Sequence, residues 1–276
     1  MDSEKDLLDK IHKVSLYLLL AFDTICREQG LTYFLDSGTA LGAVRHGGFI
    51  PWDDDVDVGM PRADYERFLK LGQDAMPEDL FIQTRETDLA YRRNVAKLRL
   101  KGTVFQELED LPYAQNGFFI DIFPFDNVPQ NKLMAKLHIF FTGLICRIIN
   151  SYETRKESVS GFRRAVQTII KKIPRSFIDR LEKKHLKLCR KYDNTDTGFM
   201  TCHHWIMTYA KGNAYLFAAD KILPVRDILF EGHPLKIVND PHYYLNLMYG
   251  NYMQLPPENE RHGQHWTGQV DFGKYA

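Results

Sequence analysis

Ile50-Pro51-Trp52-Asp53-Asp54-Asp55-Val56-Asp57-Val58-Gly59-Met60 decides the fold. Within it, Asp55-Val56-Asp57-Val58 alternates acid with apolar residue, the pattern of a strand that shows carboxylates on one face and valines on the other. Two carboxylates two residues apart on one face are close enough to share a divalent cation. Asp53 is a possible further ligand; strand alternation predicts that Asp54 points the other way and is replaceable. A helix-loop-helix calcium site also places Asp53, Asp55 and Asp57 at its first ligand positions, but its obligatory glycine is Val58 here and its final glutamate is Asp64.

Upstream, Leu7, Leu8, Ile11, Val14, Leu18 and Ile25 recur at helical spacing, predicting a helix over about 5–29 closed by Gly30. Leu31–Leu35 then reads as a strand, and Asp36-Ser37-Gly38-Thr39 as a turn opening a second helix at Ala40. Free N–H groups at that helix start, with Gly38 and Thr39 beside them, can hold a phosphate. Downstream, Pro61 starts a helix through Tyr65 and Phe68. Leu80–Thr84, Val95–Arg99 and Gly117–Phe123 read as strands, the last stopping at Pro124. Asp121 lies in the middle of that apolar strand, where an unpaired carboxylate costs several kcal/mol to bury. A metal shared with Asp55 and Asp57 removes the cost, and hard oxygen ligands select Mg²⁺ or Mn²⁺. The order of elements predicts an α+β fold with a mixed sheet backed by helices.

Charge divides the chain. Lys+Arg and Asp+Glu both number 36, so the overall field gives no reason to expect nucleic acid as partner. Asn131–Lys191 nevertheless holds sixteen Lys/Arg against four Asp/Glu, leaving twenty against thirty-two elsewhere. This segment is helical and basic in pattern, with breaks around Ser151–Gly161 and at Pro174. The expected organisation is a catalytic core over 1–130, a basic helical insertion over 131–192, and a part over 193–276 that completes the core. The acidic start lacks the pattern of a secretory signal, and the most apolar window, Leu137–Ile149, falls short of the ~20 residues of a spanning helix. A cytoplasmic protein is the expectation. Cys26, Cys146, Cys189 and Cys202 lack C-x-x-C spacing and read as buried hydrophobes. His203-His204 and His262 with His265 lack zinc spacing and read as hydrogen-bonded surface groups.

A glycine-hydroxyl turn, an Asp-x-Asp strand and a later strand acid together resemble the nucleotidyltransferase-like superfamily. More specifically, Leu35–His46 followed by Ile50–Met60, then Gly117–Pro124, Tyr249-Gly250-Asn251-Tyr252-Met253, Leu255-Pro256-Pro257 and Arg261 resemble the LicD family, which includes the fukutin-like transferases. The resemblance implies transfer of a phosphorylated alcohol from a nucleotide diphosphate carrier to a glycan. In bacterial members that means phosphocholine from CDP-choline onto teichoic acid or lipopolysaccharide sugars, with release of CMP. It implies catalytic roles for Asp55, Asp57 and Asp121 and a substrate role for Arg261. Arg45, Lys97 and Arg99 are candidate phosphate contacts because their cations complement phosphate oxygens. Tyr33, Trp52 and Phe125 read first as core residues, with a choline cage as the alternative. The basic segment, with Phe140, Phe141, Leu144 and Ile148, is a candidate contact with an anionic membrane bearing a lipid-linked acceptor. Competing readings are a nucleotidyltransferase that releases pyrophosphate and an inert scaffold of a glycan-assembly complex.

Overall fold

The structure is a computed structural model that describes residues 4–107, 115–153, 161–193, 195–204, 215–261 and 266–275. In chain order its elements are α1 (Glu4–Glu28), β1 (Phe34–Leu35), α2 (Ser37–His46), β2 (Asp57–Pro61), α3 (Arg62–Leu71), β3 (Leu80–Gln83), β4 (Ala96–Leu100), β5 (Val104–Glu107) and β6 (Phe119–Asn127). There follow α4 (Lys132–Glu153), α5 (Gly161–Ile170), α6 (Arg175–Cys189), β7 (Phe199–Thr201), β8 (Phe217–Ala218), α7 (Ala219–Ile222), β9 (Arg226–Phe230), β10 (His233–Ile237), α8 (Pro241–Tyr249) and β11 (Trp266–Asp271).

The architecture is α+β. A mixed sheet runs β1-β2-β6-β4-β3, with β7 and β8 continuing from the far end of β6. Among the described residues, β2 and β6 are the one parallel pair of this sheet. α1 closes as the sequence predicts: Gly30 is left-handed (φ 57°), and Leu31 N–H returns to Cys26 O at 2.8 Å, so orphan carbonyls of the last turn are satisfied. Its stripe of Ile11, Val14, Leu18, Phe22 and Ile25 is buried in the main core. α1 and α3 both pack on β6; α2 packs on β2 and against α8.

Three boundaries differ from expectation. β1 is only two residues long because, as an edge strand, it pairs with β2 alone. β2 begins at Asp57, since Asp53 N–H turns back to Ile50 O (2.9 Å) and the segment before Asp57 is not strand. β6 continues through Pro124 to Asn127. Asp121 N–H donates to Val56 O on the β2 side, so even-numbered residues direct their N–H groups to the opposite side. There, pairing with β4 has ended at Ala96 opposite Ile122, and pairing with β7 starts only at Asp126. Proline's missing donor therefore costs no ladder bond.

α4 packs against both α5 and α6. α4 has 22 residues and is, by length and composition alone, long and apolar enough to cross a membrane, which the shorter window read from sequence did not capture. Ala135, Ile139, Thr142, Gly143, Cys146 and Ile149 form a buried face on it, while Leu133, Leu137, Phe140, Phe141 and Leu144 are exposed.

Candidate active site

Residues directly opposite one another in paired strands share a face. Gln83 lies opposite Lys97, Lys97 opposite Asp121, and Asp121 opposite Asp57, so four polar side chains form a row across β3, β4, β6 and β2. Adjacent strands lie about 4.8 Å apart, so the Asp57 and Asp121 side chains are neighbours on that face. Lys97 Nζ donates to Asp121 Oδ2 at 3.0 Å. Asp121 Oδ1 is buried with no hydrogen-bond partner.

Asp53, Asp54 and Asp55 approach this row from a turn. One carboxylate oxygen from each lies within 4.8 Å of the other two, a grouping able to hold a metal ion. Asp55 is thus a turn residue beside Asp57, not its strand neighbour, and Asp54 is buried among the acids. The expectation that Asp54 faces away fails because strand alternation does not apply before Asp57. Glu231 pins the approach to this turn: its Oε1 accepts from Phe49 N–H (3.0 Å) and its own N–H donates to Gly47 O (2.9 Å). It does so from the Glu231-Gly232 turn joining β9 to β10, where both residues have positive φ, as a two-residue hairpin of this hand requires.

The start of α2 serves the carboxylates. A Cβ at Gly38 would stand 2.7 Å from Asp53 Oδ2, so glycine makes room for that carboxylate against the helix. Thr39 Oγ1 accepts from Asp57 N–H at 2.9 Å and sets the start of β2. Asp36, a site residue that sequence reasoning noticed only as part of a turn, caps α2 through Ser37 N–H and accepts a hydrogen bond from Tyr244 on α8. Burial pushes the Asp36 carboxyl up to about 8 despite those bonds. Asp57 is driven well above the usual carboxylate range, first by burial and then by Asp55, Asp121, Asp36 and Asp53. So much like charge in one place favours a bound cation.

Behind the row lies a charged network that sequence reasoning missed. Glu107 on β5 accepts from Lys97 (3.0 Å), Arg99 (3.2 Å) and Arg93 (3.0 Å). Its burial would raise the carboxyl, but Lys97, Arg93 and Arg99 hold it down at about 2. Arg99 also donates to Gln83 Oε1 and Gly117 O and is 1% exposed. It is enclosed in the protein and meets Glu107 in the same network as Lys97. Lys97, equally buried, meets Asp121 directly. Both side chains therefore stand in a buried ion network, away from the solvent-facing position that a phosphate contact implies.

Arg45 and Arg261 differ. Arg45 donates to Tyr252 O (2.9 Å), and Arg261 lies over the Trp52 ring at 5.5 Å. Arg45 is lowered by burial and by the positive charge of Arg261, so the two guanidiniums are neighbours. Tyr249, at the end of α8, is 44% exposed as a residue, yet its hydroxyl end is desolvated and lies near Asp57, Asp36, Asp53 and Asp55, which raise it well above its ordinary value. Tyr33 donates to Asp23 in the core, and Phe125 is buried against Phe34, so neither is placed for a choline cage; Trp52 is half-buried beneath Arg261. His262 and His265 lie outside the described residues.

Residues 30–145 match the family described as LicD/FKTN/FKRP, nucleotidyltransferase domain. The chain is 27% identical over 266 residues, 91% of its length and 93% of the relative's, to the lipopolysaccharide cholinephosphotransferase LicD of Haemophilus influenzae. Over 114 residues, 41% of this chain and 20% of the relative, it is 32% identical to the ribitol 5-phosphate transferase FKRP of Mus musculus.

Proposed function

This chain carries a LicD-family nucleotidyltransferase domain, and from that premise we propose that it transfers a phosphoalcohol, phosphocholine from CDP-choline in the first instance, to a cell-surface glycan precursor. The observation that carries the reading is the Asp57–Asp121 pair on parallel neighbours, with Asp121 Oδ1 buried and unpartnered and with Asp55, Asp36 and Asp53 acting on Asp57. That orphaned oxygen and the mutual repulsion at Asp57 fit a divalent cation. Asp55, Asp57 and Asp121, with Asp53 beside them, would hold Mg²⁺ or Mn²⁺, which supplies charge neutralisation at the diphosphate when bound.

The chain's own residues perform the remaining work. Arg45 and Arg261 orient the donor's phosphates opposite the acids. Lys97 ties up Asp121 Oδ2; of the two lone pairs on Oδ1, one would serve the cation and the other takes the proton of the attacking glycan hydroxyl. The glycan oxygen attacks the phosphorus bearing the alcohol, the bond to the bridging oxygen breaks in line, and CMP leaves. Glu107 and Arg99 keep Lys97 in place through this exchange.

The exposed apolar face of α4, with Lys132, Lys136 and Arg147 on the same helix, fits peripheral contact with an anionic membrane at the inner face, where a lipid-linked teichoic acid or lipopolysaccharide precursor would be met. Flotation with anionic vesicles, lost on Phe140→Ser with Phe141→Ser, tests that contact. For the chemistry, the purified chain is incubated with Mg²⁺, a panel of CDP-linked alcohols and glycan acceptors. CMP release with CDP-choline is expected. Pyrophosphate release from a nucleoside triphosphate, without CMP from any donor, would replace the reading with nucleotidyl transfer.

A further inference from the structure

A second cluster of metal-competent side chains lies on the opposite side of β6, where α4 and α6 meet the sheet. Asp126 ends β6, Cys189 ends α6 and His203 follows β7. All three are buried, and one carboxylate oxygen, the thiol sulfur and one ring nitrogen lie within 4.8 Å of one another. His185, one turn before Cys189, places its Nε2 at 3.6 Å from the sulfur. The His138 and His203 ring centroids are 5.5 Å apart, and those of His185 and His203 are 6.3 Å apart.

Thr142 Oγ1 lies 2.9 Å from His203 Nδ1 and within reach of its own helix at His138 O (2.9 Å) and Ile139 O (3.0 Å). In the tautomer in which the hydroxyl proton turns back to the helix, Oγ1 accepts from His203 Nδ1–H. His203 Nε2 is then left as a bare lone pair, and it is buried with no hydrogen-bond partner. An imidazole held by a proton on one nitrogen, with the other free, is the usual arrangement of a metal-bound histidine. His138 Nε2 is likewise buried without a partner. Leaving such atoms unsatisfied costs about 1–3 kcal/mol each.

Arg62 does not exclude a metal. It binds Asp126 in bidentate fashion, Nε to Oδ1 at 2.6 Å and a terminal nitrogen to Oδ2 at 3.0 Å, but each carboxylate oxygen keeps a lone pair. Asp193, raised to about 6 by burial and by Asp126, has a buried unpartnered Oδ1 and supplies a further negative charge nearby.

We propose that Asp126, Cys189 and His203, with His185 at the edge of the set, form a buried transition-metal site that staples the basic helices to the sheet. A mixed sulfur, nitrogen and oxygen donor set selects Zn²⁺ over Mg²⁺ or Mn²⁺, and binding displaces the Cys189 thiol proton to solvent. This site is separate from the acidic row and independent of the transferase reading.

The test uses the full chain, purified and dialysed against Mg²⁺ without zinc chelators. Stoichiometric zinc is expected by elemental mass spectrometry. Zinc-edge X-ray absorption should show a sulfur neighbour together with nitrogen and oxygen, and needs no variant. In the cobalt-substituted protein, a thiolate-to-cobalt charge-transfer band should vanish in Cys189→Ser and persist in Cys26→Ala. Absence of retained zinc, a shell of oxygen alone, or a band unaffected by Cys189→Ser would each overturn the site.

Discussion

Asp121 and Asp126 sit five residues apart on β6 and therefore on opposite faces of the sheet, both buried. Each Asp126 oxygen accepts from Arg62 and keeps one lone pair, the one the proposed zinc site would use. Asp121 has one oxygen on Lys97 and the other on nothing, in company with Asp57 and the acids of the preceding turn. A buried carboxylate with a bidentate partner has its charge cancelled where it stands. One left half-satisfied beside like charges stores repulsion that a ligand can relieve. The difference separates an acid that builds the protein from one that the protein holds ready.

The largest expected effect separates the two aspartates by activity. Asp57→Asn or Asp121→Asn should reduce turnover at least ~10³-fold, the scale of losing an electrostatic stabiliser, with the unfolding temperature unchanged or raised. Normal turnover by either variant would end the carboxylate assignment. Asp126→Asn should do the reverse. Urea unfolding in chelator should show about 3–5 kcal/mol lost, because Arg62 is left buried and underpaired, while kcat per folded molecule stays near wild type.

Glu107 sharpens the comparison through pH. Its folded carboxyl lies at about 2, against 4.5 when unperturbed, so the stability it contributes is complete above about pH 4.5 and is lost as pH falls towards 2. A shift of that size corresponds to about 3 kcal/mol as an order of magnitude. Chemical unfolding across that range should show a steep acid limb, reduced in Glu107→Gln, which starts from lower stability. An identical limb in both proteins would show that the Lys97–Glu107–Arg99 network is not what fixes Lys97. The smallest effect is expected for Gly38→Ala. Its Cβ presses on Asp53 Oδ2, and a shifted carboxylate should lower kcat/KM about tenfold, equivalent to ~1.4 kcal/mol; steady-state kinetics with CDP-choline would read it.

The pairing of Asp57 with Asp121 could be read from sequence because each acid interrupts an apolar, strand-like run, and only a polar partner or a ligand explains that. α1 was legible from its stripe and its glycine for the same kind of reason. Asp55 was misplaced because alternation over four residues resembles a strand even where a turn intervenes. Glu107 was invisible, since nothing in Val104-Phe105-Gln106-Glu107 says that its acid meets Lys97 and Arg99 across another strand. The His203 and Cys189 juxtaposition was equally hidden: the residues come from β7's exit and the end of α6, and spacing along the chain carries no trace of it.

The central claim is that the Asp57–Asp121 pair is kept short of partners in order to take a divalent cation. Free Mn²⁺, followed by electron paramagnetic resonance during titration with protein in the presence of CDP, tests it directly. Wild-type protein should deplete the free Mn²⁺ signal, and Asp57→Asn and Asp121→Asn should leave most of it, while Asp126→Asn behaves as wild type below its unfolding transition. Equal depletion by wild type and the first two variants would contradict the account.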